Sequence, residues 1–474
     1  MRSRIPAIWA SLPLLAVAAC TAGPDYQRPQ TNLRAEWLEP ASTAPVDAQW
    51  WESFGDPTLT RLVGQALASS PDLAQARARV AEARALREAA QGGRNPQITM
   101  TRDTTYNRIS ENGQFPVANI PGFDTEFPLI DGGFDASWEI DVWGRTTREI
   151  ERARALEGAA GWAERDAMVS LTAEIARTYV GFRLAQETLG TARTELDASE
   201  ALASLNTLRA NAGEGSRIEE QQAGAARELR IAALRQAEAS AASAAYQLAA
   251  LIGGLPEDIV PGLLESSAPI PSPPDAIASG IRSDLLERRP DIRRAERELA
   301  AATAGIGVAT ADLYPRFSLV GSIGLQSQTV DELVTDESLR FSIGQIFRWP
   351  IFSFGRIRAQ IRAADARADA ASAAYEGAVL KALSESEGAA NRFAAASAAL
   401  RASDASLVRE TEAFRLAALL FERGETSRLP LEQARLRLTA AQRQASDTRA
   451  GRADAAIALY KALGGGWREE SPAP

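Results

Sequence analysis

Phe134-Asp135-Ala136-Ser137-Trp138-Glu139-Ile140-Asp141-Val142-Trp143 alternates residue by residue. Phe134, Ala136, Trp138, Ile140 and Val142 point one way. Asp135, Ser137, Glu139 and Asp141 point the other, which is the period of a strand with one apolar and one polar face. Its hairpin partner is the stretch from about Gln97 to Tyr106. Farther on, Phe317, Leu319, Ile323 and Leu325 alternate with Ser318, Ser322, Gly324 and Gln326. Phe341, Ile343, Phe347, Trp349 and Ile351 then alternate with Ser342, Gly344 and Arg348. Each segment is close to the roughly 9–11 residues that a tilted strand needs to cross a bilayer. Alternation alone favours a soluble, half-buried strand. Here, however, two hairpins sit between long helices, with no evident second layer to bury their apolar faces. Four strands cannot close a membrane barrel, and open edges are not tolerated in lipid, so spanning strands require several chains.

Helical patterns flank the hairpins. The first runs from Leu59 to about Gly92, and Pro96 ends it. Gly144 opens a proline-free stretch to about Ala210, Gly213 and Gly215 break it, and another helix follows from Arg217 to Leu251. The order then repeats: about Ile281 to Asp312, Arg356 to Phe421, a break at Gly424, and about Leu429 to Leu463. The long helices have about 66 residues, roughly 100 Å at the α-helical rise. The repetition extends to residues. Pro71-Asp72-Leu73 recurs as Pro290-Asp291-Ile292, an offset of 290 − 71 = 219, and Pro96 falls on Pro315. Later the offset is 355 − 144 = 211: Gly144-Arg145 falls on Gly355-Arg356 and Gly253-Gly254 on Gly464-Gly465. Gly213-Glu214-Gly215-Ser216-Arg217 likewise falls on Gly424-Glu425-Thr426-Ser427-Arg428. The change of 8 residues lies between 96 and 144, in the first hairpin. Its tip, Asn107 to Gly132, carries Asn112-Gly113, Pro121-Gly122 and Gly132-Gly133 as turn signals, and the second tip spans about Thr329 to Ser338.

The expected organisation is a leader at 1–19, an anchor segment at 20–57 and a first repeat at 58–254 with its hairpin at 96–143. A proline-rich linker at 255–279, a second repeat at 280–465 with its hairpin at 315–352, and a tail at 466–474 complete it. The length of 474 residues suggests about three domains, but the duplication favours two interleaved halves. With no histidine, the commonest general base and zinc ligand are missing. A single cysteine excludes a disulfide framework, and a net charge of −9 argues against nucleic acid. Arg2 and Arg4 precede an apolar run from Ile5 to Ala19, as in a secretory signal. Leu15-Ala16-Val17-Ala18-Ala19-Cys20 resembles the bacterial lipoprotein cleavage box, which would make Cys20 an acylated first residue. An ordinary signal peptide cut near Ala19 is the alternative. Thr21, in place of the aspartate that retains lipoproteins in the inner membrane, implies the outer membrane.

Four stretches carry a family resemblance: Gly23-Pro24-Asp25-Tyr26-Gln27-Arg28-Pro29, Trp138 to Arg145, Pro350-Ile351-Phe352-Ser353-Phe354-Gly355-Arg356, and Leu459 to Trp467. Together they resemble the outer membrane efflux, TolC-like family and its lipoprotein branch, across essentially the whole mature chain. The resemblance implies a mainly α fold with a membrane β-barrel part. Three chains of four strands would make a twelve-stranded β-barrel, continued by a twelve-helix α-barrel. It also implies a homotrimeric exit duct in outer membrane lipid, with a periplasmic adaptor and an inner-membrane transporter of the proton-driven resistance-nodulation-division type. No catalysis, metal or cofactor is expected beyond the covalent lipid on Cys20.

Within that picture Asp135, Glu139, Asp141 and Arg348 are expected to face the lumen, and Gly144, Arg145, Gly355 and Arg356 to turn strand into helix. Gly213, Glu214, Ser216, Arg217, Gly424, Glu425, Ser427 and Arg428 would form the periplasmic tips that meet the adaptor, with Ser216 and Ser427 capping the following helices. Family members often carry aspartates just beyond the second tip. Pro430 and Gln433 stand there in this chain, leaving Glu219, Glu220 and Glu432 as gate candidates. A lipid-anchored periplasmic coiled-coil adaptor or scaffold is the competing reading, and it leaves the four amphipathic strands unexplained.

Overall fold

The computed structural model describes residues 21–468 except 32–33, 35, 39–43 and 111–123; Cys20 lies outside the described residues. Its helices are α1 (Pro57–Ser69), α2 (Pro71–Gly92), α3 (Arg145–Asn211), α4 (Arg217–Leu251), α5 (Pro256–Glu265), α6 (Leu285–Arg288), α7 (Pro290–Ala311), α8 (Arg356–Glu422) and α9 (Arg428–Ala462). Its strands are β1 (Gln97–Arg108), β2 (Glu126–Ile140), β3 (Arg316–Ser327) and β4 (Leu339–Arg348). The repeats match in length: 67 residues in α3 and α8, 35 in α4 and α9, 22 in α2 and α7.

Three stretches depart from the pattern read in the sequence; one is the helix expected from about Ile281 to Asp312, which breaks at Arg289 (ψ 118), ahead of Pro290, between α6 and α7. The helix expected from Leu59 to Gly92 is two, because Pro71 forces Ser70 out of the helical region, to ψ 129. The proline-rich stretch after Gly254 contains a helix, α5. Pro256 occupies its first turn, where no amide bond is lost, and Glu257 and Asp258 favour its N-terminus.

The strands form one antiparallel sheet in the order β1-β2-β3-β4, leaving β1 and β4 as edges. The two hairpins share one register. Adding 219 to Gln97 and 211 to Ser137, which are partners, gives Arg316 and Arg348, which are also partners. The same offsets relate two tryptophan hydrogen bonds. Trp138 Nε1 donates to the Arg94 carbonyl at 2.8 Å, and Trp349 Nε1 to the Leu313 carbonyl at 3.0 Å. The first tip is shorter than expected, because Arg108 pairs with Glu126. Asn112-Gly113 and Pro121-Gly122 lie outside the described residues. Gly132-Gly133 is not a turn but lies within β2. There Gly133 meets Gly324 so closely that a Cβ would stand 2.4 Å from the Ile323 carbonyl. One face of the sheet presents Phe134, Ile323, Phe341, Ile343 and Phe347 with no cover, Ile343 being 86% exposed.

The chain divides into two compact units. One contains the sheet and comprises the described residues up to Pro29, Ala81–Ala159 and Glu296–Ala374. The other, Gln30–Val80, Ala160–Ala295 and Tyr375 onward, holds the main hydrophobic core. Trp50, fully buried, stacks on Tyr460 at 5.0 Å in this second unit, with Leu59, Leu62, Phe182, Leu248 and Ile457 in the same cluster. Segments that read as irregular in the sequence therefore contribute to the core. Trp467 is fixed there as well, its Nε1 donating to the Arg288 carbonyl at 3.0 Å. A polar chain crosses this unit. Asp56 caps α1 and accepts from Tyr179 Oη at 2.8 Å, and Arg183 Nε donates to the same hydroxyl at 2.9 Å. Burial and the Asp56 carboxylate push the Tyr179 hydroxyl up to about 12.

Candidate functional site

The polar face of the sheet gathers Asp135, Glu139 and Arg348. Asp135 accepts from Thr101 Oγ1 at 2.9 Å, and Glu139 lies 4.0 Å from Arg316, which pairs in register with Arg348. Asp141 does not belong to this set, because β2 ends at Ile140. Its carboxylate accepts from the Thr146 and Thr147 amides at 2.9 and 2.8 Å and from the Thr147 hydroxyl at 2.7 Å, so it caps α3. The sheet also assembles an ion pair that no local sequence signal marks. Arg340 Nε donates to Asp131 Oδ2 at 2.7 Å, and Gln326 Nε2 donates to the same oxygen at 2.8 Å. These residues sit on β4, β2 and β3, and only the register brings them together.

The strand-to-helix junctions need left-handed backbone. Gly144 and Gly355 have φ of +73° and +84°, and Phe354 adopts φ +46°. The two junctions differ in their surroundings. A Cβ at Gly144 would stand 2.7 Å from Thr21 Cγ2, whereas one at Gly355 would meet nothing within 4 Å. The N-terminal segment is clamped at the first junction. The Ala22 amide donates to the Trp143 carbonyl at 2.9 Å. Arg148, nearly inaccessible, donates to the Ala22 and Gly23 carbonyls at 3.1 and 3.3 Å and to Asp25 at 2.6 Å. Trp143 stacks on Tyr314 at 4.7 Å, and its Nε1 donates to the Pro315 carbonyl at 2.9 Å. Arg145 lies 3.4 Å from Asp312, while Arg356 donates to Gln360 at 3.2 Å on its own helix.

The helical tips are built alike. Gly213 and Gly424 take φ of +75° and +71°, and the Glu214 and Glu425 amides bond back to the Arg209 and Leu420 carbonyls at 2.9 Å. Ser216 and Glu219 form a capping box on α4, but Ser427 makes no side-chain cap on α9. The gate candidates are engaged locally. Arg217 binds Glu220 at 2.9 Å, and Arg209 lies 3.9 Å from Glu219. Glu432, only 1% exposed, sits between Arg428 and Arg435 at 3.2 and 3.1 Å.

The second unit also has a half-open cavity of about 300 Å³ lined in part by Asp166, Arg177, Arg289, Asp291, Glu385 and Lys461. Burial, reinforced by the charge of Asp291, pushes the Asp166 carboxyl up. Asp291 is partly buried too, but hydrogen bonds from Arg289 outweigh that and hold it down.

Helices of matched length, an edge-bearing sheet with one bare apolar face and the paired tips correspond to known proteins along the whole chain. The sequence profile of the outer membrane efflux protein family matches residues 62–254 and 281–465, one stretch per repeat. The chain belongs to the outer membrane efflux protein family. It is 30% identical over 449 residues to the pyoverdine export outer membrane protein OpmQ of Pseudomonas putida, covering 92% of this chain and 93% of that one. It is 31% identical over 481 residues to outer membrane protein OprJ of Pseudomonas aeruginosa, covering 99% and 98%. Among solved structures, the outer-membrane channel OprN superposes with a TM-score of 0.83 at 34% identity, covering 94% of this chain and all of that one. This efflux protein therefore has the fold of the TolC-like channels, mainly α with a β-barrel part. It is an outer membrane channel with a large periplasmic part, a conduit for transport rather than an enzyme. No helix among the described residues is long and apolar enough to cross a membrane.

Proposed function

We propose that this efflux protein is a homotrimeric exit duct, passively conducting cargo handed over by an inner-membrane pump and a periplasmic adaptor. The observation that carries this reading is the sheet. It has two unpaired edges and an uncovered apolar face in a single chain. In water such a sheet would aggregate, and in lipid its edges must close. Three copies of four strands close a twelve-stranded barrel. Asp135, Glu139 and Arg348 then face the lumen beside the Asp131–Arg340 pair, and the acidic residues lower the local potential. The glycine-bounded tips meet the adaptor, and Glu219 and Glu220, more accessible than Glu432, are the acids available to gate the entrance. The pump is of the proton-driven resistance-nodulation-division type.

The repeats at 58–254 and 280–465 are the functional halves, and Cys20 bears lipid. The clamp on Thr21 to Asp25 supports that anchor, because it holds the residue after Cys20 against the junction where the strands end. OpmQ is described as a pyoverdine export protein; for this chain the pump selects the cargo.

Planar bilayers test the reading. Purified protein should give stable channels, and neutralising Asp135 and Glu139 together should reduce their cation preference. A delipidated protein that is monomeric and soluble without detergent would remove the channel in favour of the scaffold reading.

A further inference from the structure

The duplication carries information about a contact that a single chain cannot make. The first repeat joins the second within the chain through β2 and β3, where Ile140 pairs with Phe317 and Gly133 with Gly324. The second repeat has no third repeat to join, so β4 ends the sheet. If three copies close a ring, β4 meets β1 of the next copy, and that joint is the counterpart of β2 on β3. We infer that the β4–β1 seam between copies repeats the in-chain register, pairing residues whose numbers sum to 449. This rests on the trimeric reading above.

The two hairpins already share the offsets of 219 and 211. Adding 211 to Ile140 gives Ile351, and subtracting 219 from Phe317 gives Ile98, so Ile351 faces Ile98 of the neighbour. Further along, Gln345 faces Thr104 and Gly344 faces Thr105.

Three independent observations agree. Ile98 and Ile351 are both 71% exposed, as a seam left open in one chain requires. The register keeps faces matched. Thr104 lies across β2 from Ile130, and Gln345 lies across β3 from Leu319, both on the apolar face. A slip by one residue would oppose apolar and polar faces. Finally, Gly344 is the counterpart of Gly133. A Cβ at Gly133 would collide with the Ile323 carbonyl at 2.4 Å, whereas one at Gly344 would meet nothing within 4 Å. The open space beside Gly344 is where the neighbour's strand belongs, spaced more widely than in the chain because Thr105 stands where Gly324 does in the inner joint.

Phe354, too, is wholly exposed, in left-handed backbone. Its counterpart Trp143 lies on Tyr314 and Pro315. Subtracting 219 from these gives Asn95 and Pro96, so Phe354 covers the helix-to-strand turn of the next copy.

Paired cysteines in full-length, membrane-assembled protein test this. Thr104→Cys with Gln345→Cys, and Asp103→Cys with Ile346→Cys, sample both alternating pair types of an antiparallel ladder, so one has favourable disulfide geometry. Mild oxidation should convert most of at least one variant into covalent dimers and trimers on a non-reducing gel. Thr104→Cys with Ile343→Cys or Phe347→Cys, each slipped by two residues, should give several-fold less. Chains carrying one new cysteine set the background, Cys20 included. Preferential cross-linking of a slipped pair overturns the register and leaves the trimer standing. No cross-linking by any pair, in protein that is trimeric by mass and conducts, also overturns the seam. Protein that is monomeric and water-soluble sinks the trimeric reading and the seam with it.

Discussion

Replacing Gly144 with alanine should cost this channel clearly more than replacing Gly355, although both positions need the same backbone. Left-handed backbone costs an L-residue about 1–2 kcal/mol, and that is the whole expected cost at Gly355, where an added methyl meets nothing. At Gly144 the methyl would stand 2.7 Å from Thr21 Cγ2 and 3.0 Å from Thr21 Cα, so backbone has to retreat. Retreat breaks the Ala22–Trp143 hydrogen bond and the two that Arg148 makes to the Ala22 and Gly23 carbonyls. At about 0.5–1.5 kcal/mol net for each, added to the backbone cost, the total at Gly144 comes to roughly 2.5–6.5 kcal/mol. Thermal scans of tryptophan fluorescence in detergent measure the difference, and chymotrypsin reports the local event. The bond after Tyr26 should be cut in the Gly144→Ala protein and protected in the Gly355→Ala protein. Equal thermal losses with Tyr26 protected in both would refute the idea that the N-terminal segment is fixed by this junction.

Asp166→Asn should stabilise the protein at neutral pH. Its folded pKa is raised, so the ionised carboxylate carries a penalty that is full above that pKa and absent below the unfolded value near 4. The gain in melting temperature should vanish as pH falls toward 4, and a gain that persists there would point to another cause. Asp291→Asn should behave oppositely, because its lowered pKa contributes stability that is lost only in acid. Glu432→Gln should destabilise by about 1–3 kcal/mol, since it unpairs a buried carboxylate from two half-exposed arginines. Glu220→Gln, whose partner Arg217 is well exposed, should cost under about 1 kcal/mol; comparable melting shifts would contradict the geometry. Arg340→Gln releases the Asp131 carboxylate and should raise cation preference in bilayers; unchanged reversal potentials would remove this pair from the conduction path.

Much of this architecture was legible because the relevant signals are local. Period-2 alternation marked all four strands. Glycines at 144, 213, 355 and 424 marked helix ends, since left-handed backbone favours that residue. What stayed hidden depends on distant partners. Asp141 continues the alternation of β2, and nothing nearby reveals that its carboxylate serves the Thr146 and Thr147 amides instead. Asp131 and Arg340 are 209 positions apart and meet only through the strand order. Gly132-Gly133 has the composition of a turn, and only the facing Gly324 explains its place inside a strand. The Trp50 segment read as irregular because its burial comes from Tyr460 at the far end of the chain.

The matched repeats give the molecule one joint in two kinetic settings. Where β2 meets β3, both partners belong to one chain, and tethering supplies a high effective concentration. Where β4 seeks its counterpart, the partner must arrive by diffusion, at whatever density of chains the membrane provides. A weakness common to both joints would therefore be masked in folding and exposed in assembly. Expression level, which leaves the inner joint untouched, becomes a control on how many chains ever complete the outer one.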